Sequence, residues 1–159
     1  MTEYFRVDKR LFGVGDCVVT AREYTAKFTG IAREIEDLLE RRRPDAMMDR
    51  QACLFVFEDV NTARKHWSKM TDGKLYQVTV DDATLIHRGD MALMDAMKAV
   101  GEAGGDMGEV ADAYWRGEMS DLPEIEVLTP KAVVSQVISI SDAERRAHLM
   151  KRWGLGPRP

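Results

Sequence analysis

The sequence predicts an α+β fold with a largely antiparallel sheet, and two observations carry that prediction. Strand-type runs outnumber helical stripes. They follow the order strand, one long N-terminal helix, then mostly strands with short connecting helices, without the regular strand and helix alternation of a parallel sheet. The 159 residues suffice for one domain. The only glycine-rich stretch, Gly101–Gly108, is flanked by helical patterns and reads as a helix-to-helix loop rather than a linker. A single domain over residues 1–159 is expected, with a core at about 4–140 and a short C-terminal helix at 141–153.

Taken in order, Tyr4-Phe5-Arg6-Val7 alternates as a first strand, with Phe5 and Val7 on one face and Tyr4 and Arg6 on the other. Gly13 to Asp16 is turn chemistry, and Cys17 to Thr20 is a β-branched run. Tyr24, Phe28, Ile31, Ile35 and Leu38 fall on one stripe of a long helix, whose end Arg41, Arg42 and Arg43 complement and Pro44 closes. Leu54 to Phe57 is a wholly apolar strand, and Asp59 caps a helix showing Val60, Ala63 and Trp67 on one face. Leu75 to Val80 alternates as a strand, and Thr84 to Ile86 reads as another. Met91, Met94 and Met97 make one helical stripe, and Val110, Ala111, Tyr114 and Trp115 a second. Ile125 to Leu128 and Val133 to Ile140 are strands around Thr129-Pro130-Lys131. Ser141 and Glu144 form a capping box that opens the last helix.

Composition narrows the function classes. With 27 acidic and 23 basic side chains the net charge is −4, which argues against a protein whose main task is gripping nucleic-acid backbone. The Arg41–Arg43 run reads as a solvated helix end or as a basic patch. Cys17 and Cys53 lie in apolar strand-like contexts, as two buried reduced thiols of a cytoplasmic protein would. Met1 to Asp8 shows no targeting pattern, and no apolar run approaches the roughly 20 residues of a membrane span.

Several chemistries lack their motifs. Gly13-Val14-Gly15 runs into a strand instead of a helix, so it is no phosphate loop. His66, His87 and His148 are too scattered for a metal motif, there is no Cys-x-x-Cys, and no nucleophile elbow occurs, so no metal is expected. One polar constellation remains. Glu124 and Glu126 project from the same face of an extended segment, while Ile125 and Val127 face the other way. Two carboxylates about 7 Å apart suit acid/base or cation-stabilising work, or simply a solvated sheet edge. Arg6, inside a strand, reads either as an anion-binding fork or as an ion-paired arginine.

Three segments, taken together, resemble the ADP-ribosyltransferase superfamily. Tyr4-Phe5-Arg6-Val7-Asp8 is similar to the family's opening strand, where an arginine or histidine contacts NAD. Arg50-Gln51-Ala52-Cys53-Leu54-Phe55-Val56-Phe57, with Glu58-Asp59 and the following helix, resembles the second-motif strand that packs on nicotinamide. Glu124-Ile125-Glu126-Val127-Leu128-Thr129-Pro130 looks like the glutamate-x-glutamate strand, and Leu75 to Val78 sits between them as a central strand. The likeness covers most of residues 4 to 140. It departs from the arginine-first class at Gln51-Ala52-Cys53, where the serine-threonine-serine element is missing.

The resemblance implies an ADP-ribosyltransferase-like split β-structure and NAD as substrate. Glu126 would hydrogen-bond a ribose hydroxyl and stabilise the oxocarbenium-like sugar, more in the transition state than in the ground state. Glu124 would orient or deprotonate the acceptor. Arg6 and Arg50 would contact NAD, and Phe55 or Phe57 would pack on the nicotinamide. Trp115 and Glu118 would form an acceptor-recognition loop, with core packing as the other reading of Trp115. The acceptor would be a protein, and the chain a bacterial or phage effector acting on a host or defence component. The alternative is a fold relative without catalysis that binds a partner stoichiometrically, which the missing serine keeps open.

Overall fold

In a computed structural model, residues 1–21, 28–70 and 72–154 are described, Arg152 by its backbone alone. Among these residues the alternating runs become seven strands: β1 (Thr2–Asp8), β2 (Cys17–Val19), β3 (Leu54–Phe57), β4 (Lys74–Val80), β5 (His87–Asp90), β6 (Ile125–Thr129) and β7 (Lys131–Ile138). All pair antiparallel in one sheet of order β2-β7-β4-β1-β3-β6-β5. The described residues also form five α-helices: α1 (Gly30–Arg42), α2 (Val60–Trp67), α3 (Ala92–Glu102), α4 (Gly108–Trp115) and α5 (Asp142–Arg152). The α+β class and the antiparallel sheet are as expected. None of these helices is long and apolar enough to cross a membrane.

Local signals placed several elements well. The Asp59 side chain accepts from Thr62 N–H and starts α2, and the Ser141 side chain accepts from Glu144 N–H and starts α5. Residues 103–107 join α3 to α4 as a short loop.

Three expectations are corrected. The long N-terminal helix is not shown: α1 has 13 residues, Tyr24 lies outside the described residues, and Phe28 precedes the helix. The cause is local, because Thr29 is extended and Gly30 has φ +60°, a left-handed conformation that starts a helix afresh rather than continuing one. The strand expected at Thr84–Ile86 is instead a 3-10 turn over Asp82–Thr84, capped by the Asp81 side chain; Ile86 N–H donates to the Leu128 carbonyl at 2.9 Å, and the strand itself starts at His87. Cys17 is exposed on edge strand β2, whereas Cys53 is buried and its thiol is pushed up to about 11 by burial.

The sheet has a seam. β1 and β3 meet at the single pair Phe5↔Phe57, while β1 and β4 pair along seven positions. The seam divides a four-strand half, β2-β7-β4-β1, from a three-strand half, β3-β6-β5. Tyr4, Leu54, Val56, Tyr76, Val78 and Val127, drawn from both halves, share one core to which, among the described residues, no helix contributes, so the inner faces of the halves close on each other. On the outer face α1, α3 and α4 cover Phe55 and Leu128, and α2 covers Val7, Phe57 and Leu75. Strand alternation thus supplies two apolar faces to nearly every strand.

Candidate functional site

Period-two alternation decides which side chains meet. Phe57 pairs directly with Glu126, and Glu126 with Gly89, so these positions share the outer, helix-covered face with Phe55 and Leu128. Glu126 is 2% exposed, yet its Oε1 accepts from Arg50 Nη1 at 2.6 Å and from the Tyr114 hydroxyl at 2.6 Å. Arg50 comes from a 3-10 turn, Arg50–Ala52, that the Asp49 side chain caps just before β3. The rest of its guanidinium spans both oxygens of Glu36 on α1, Nε at 3.0 Å and Nη2 at 3.2 Å. Its Cζ lies 4.8 Å from the Phe55 ring centre and 5.3 Å from that of Tyr114.

This is one buried guanidinium shared by two carboxylates. Burial works against the charge on Arg50, but Glu126, Tyr114 and Glu36 outweigh it and hold its pKa well above the ordinary value. Burial, then the charge of Glu126, raises the Tyr114 phenol well above its usual range, so the hydroxyl stays a donor. Gly89 makes the arrangement possible, since a Cβ there would run into the Tyr114 ring. A cavity of about 210 Å³ between α1 and α3, walled by Ile31, Ile35 and Met94, reaches Glu36, the outer member of the network.

The rim is more open. Glu124, immediately before β6, has a side chain 28% exposed that pairs with Lys65 of α2. Its backbone N–H donates to Asp90 at 2.9 Å, and Asp90, fully buried, also accepts from Ala92 and Ser120 N–H. Burial alone would raise the Asp90 pKa, but hydrogen bonds from Ser120 and from the Glu124 and Ala92 backbone lower it. Asp90 therefore fixes the entry to β6. His66, half-buried beside Lys65, packs against Phe57 with ring centres 4.9 Å apart and the ring planes tilted by 49°. Burial lowers its pKa, against the opposing pull of Glu126 and Glu124.

The eight residues singled out in the sequence separate into groups. Arg50, Phe55, Phe57 and Glu126 come together on the outer face, with Glu124 at their rim. Arg6 lies on the inner face: its Nη1 donates to the Phe55 carbonyl at 2.9 Å across the seam, and its Nε and Nη2 pair with Asp8 at 3.0 and 2.7 Å. Phe55 links the two sides, by its carbonyl to Arg6 and by its ring to Arg50. Trp115 is the last residue of α4, buried in the core with its Nε1 donating to the Leu39 carbonyl at 2.9 Å. Glu118 is exposed and pairs with Arg116. Tyr114, Glu36, Asp90 and His66 were missed. Their partners sit on other elements, 12 residues away for Tyr114 and Glu126 and 34 for Asp90 and Glu124, and the one available clue was that a helix leaving β3 folds back over β3.

The described residues contain no group of three or more histidine, cysteine, aspartate or glutamate side chains placed to hold a metal ion. Chemically, the outer face offers a carboxylate locked in place by two donors, a second carboxylate and an imidazole at its rim, and aromatic rings between them. No family model, no curated protein and no solved structure matches this chain.

Proposed function

We propose that the protein is a cytoplasmic, NAD-dependent ADP-ribosyltransferase that modifies a protein acceptor, in the manner of a bacterial or phage effector. The observation that carries this reading is the fixed carboxylate of Glu126: Arg50 and Tyr114 hold it on the strand opposite Phe57, with Glu124 two residues before it at the rim. Cleaving the bond between nicotinamide and ribose develops positive charge on the sugar, and a preorganised carboxylate stabilises that charge without reorganising during the reaction. NAD is consumed as substrate, and no step calls for a metal.

The second reading, a stoichiometric binding protein without catalysis, is favoured by one feature: Glu126 is 2% exposed and already engaged by Arg50. In the transferase reading α1 and α3 part far enough for a ribose to reach that carboxylate.

The test is incubation of the wild type and Glu126→Gln with labelled NAD and a bacterial lysate. Glutamine still accepts from Tyr114, and Arg50 keeps Glu36, so the variant retains its fold. Label on protein and free nicotinamide with the wild type alone support the transferase. NAD left intact by the wild type, together with a stable complex of fixed stoichiometry, replaces it with the binding protein.

A further inference from the structure

Within the transferase reading, on which this inference rests, the acceptor must lose a proton; Glu124 could take it only by releasing the ammonium of Lys65, and a carboxylate is a weaker base than an imidazole. The neighbouring side chain on α2 is free of that commitment by chemistry: an imidazole accepts a proton without first giving up an ion pair. His66 is half-buried and lies on Phe57, the residue directly opposite Glu126 in the β3–β6 ladder. We propose that His66 is the proton acceptor of this site, receiving the proton of the nucleophile as it attacks the ribose carbon.

The step balances. A bond forms between the acceptor heteroatom and the ribose carbon, and the bond from that carbon to the nicotinamide nitrogen breaks. Its electron pair leaves with nicotinamide, which departs neutral, and the acceptor's proton goes to an imidazole nitrogen and then to water. Glu126 carries the positive charge that develops on the sugar. The charged groups that act on His66 are Glu126 on β6, Glu124 just before it, Lys65 on the same helix and Lys69 just beyond that helix. Burial lowers its pKa below the ordinary 6.5, which leaves the ring neutral and able to accept a proton at pH 7.

The experiment measures nicotinamide release and labelled product from pH 5 to 8 for the wild type, His66→Gln and Glu124→Gln, with circular dichroism confirming each fold. The wild-type rate is expected to rise with pH through the His66 titration and level off near neutrality. His66→Gln should lose kcat by about 10²-fold, with KM for NAD little changed, and should lose the acidic limb. Glu124→Gln should keep that limb. A His66→Gln enzyme with wild-type kcat and profile, or a limb that disappears in Glu124→Gln instead, overturns the assignment while the transferase stands. A wild type that consumes no NAD overturns the transferase and this inference together. Should His66→Gln fail to fold, NMR titration of the wild-type ring decides: a midpoint that does not coincide with the kinetic limb overturns the proposal.

Discussion

Two arginine and carboxylate clusters sit on opposite faces of the same sheet, and their surroundings differ sharply. On the outer face Arg50, 2% exposed, is gripped between Glu36 and Glu126 beneath three helices. On the inner face Arg6 and Arg10 share Asp8 at the mouth of the seam, where the Arg10 side chain is 37% exposed. The chemistry is alike, but water reaches the second cluster directly through Arg10, whereas the Arg50 guanidinium itself is closed off from it. A broken pair at Asp8 can rehydrate, whereas a broken pair at Arg50 leaves a charge stranded in the core.

The largest expected effect follows from removing the cation of the buried cluster. Arg50→Met leaves two buried carboxylates, Glu36 and Glu126, without their cation and should cost about 3–5 kcal/mol, read by denaturant unfolding. A loss below about 1 kcal/mol would show that water enters beneath α1 and erase the contrast. Next comes Gly89→Ala, whose methyl group must displace the Tyr114 ring. Overpacking of that kind costs about 1–3 kcal/mol, and loss of the Tyr114 hydrogen bond to Glu126 should appear in the tyrosine near-ultraviolet spectrum.

Acid sharpens the comparison from the other face. Burial would raise the Asp8 pKa, but the side-chain hydrogen bond from Arg10 and the charge of Arg6 lower it below 3.8. A carboxylate depressed in the folded state contributes stability that is fully present above its unfolded pKa and is lost as pH falls through the folded value. Asp90 acts in the same direction. Stability should therefore decline as the pH falls below about 4. Asp8→Asn should flatten that decline, and an unchanged acid limb in the variant would contradict the role given to the inner cluster. The smallest effect is expected at the rim, where Lys65→Ala should leave the denaturant midpoint nearly unchanged, because the lysine is exposed and water replaces it.

Much of the fold was legible in sequence because its signals are local. The alternation in Tyr4–Val7 and Leu75–Val80, the caps at Asp59 and Ser141 and the turn at Pro130 all act within a few residues, where backbone geometry and side-chain hydrogen bonding suffice. The helix stripe misled at its start, because apolar spacing across Thr29-Gly30 carries no trace of the left-handed glycine that breaks it. The candidate site was legible in half. Glu124 and Glu126 on one face follow from strand period, and the nearness of Arg50, Phe55 and Phe57 to one another follows from adjacency in the chain.

What sequence alone determined, then, is which residues form strands and helices and which side of each strand a side chain takes, since these depend on contacts a few residues apart. Tertiary structure alone decided that Glu126 meets Arg50, 76 residues away, that Tyr114 reaches over Gly89 to join them, and that Arg6 falls on the opposite face. It also left Cys17 exposed by placing β2 at the edge of the sheet. The physical reason is that strand order and register are set by the summed burial of both faces of the sheet, a property of the assembled chain that no local window contains.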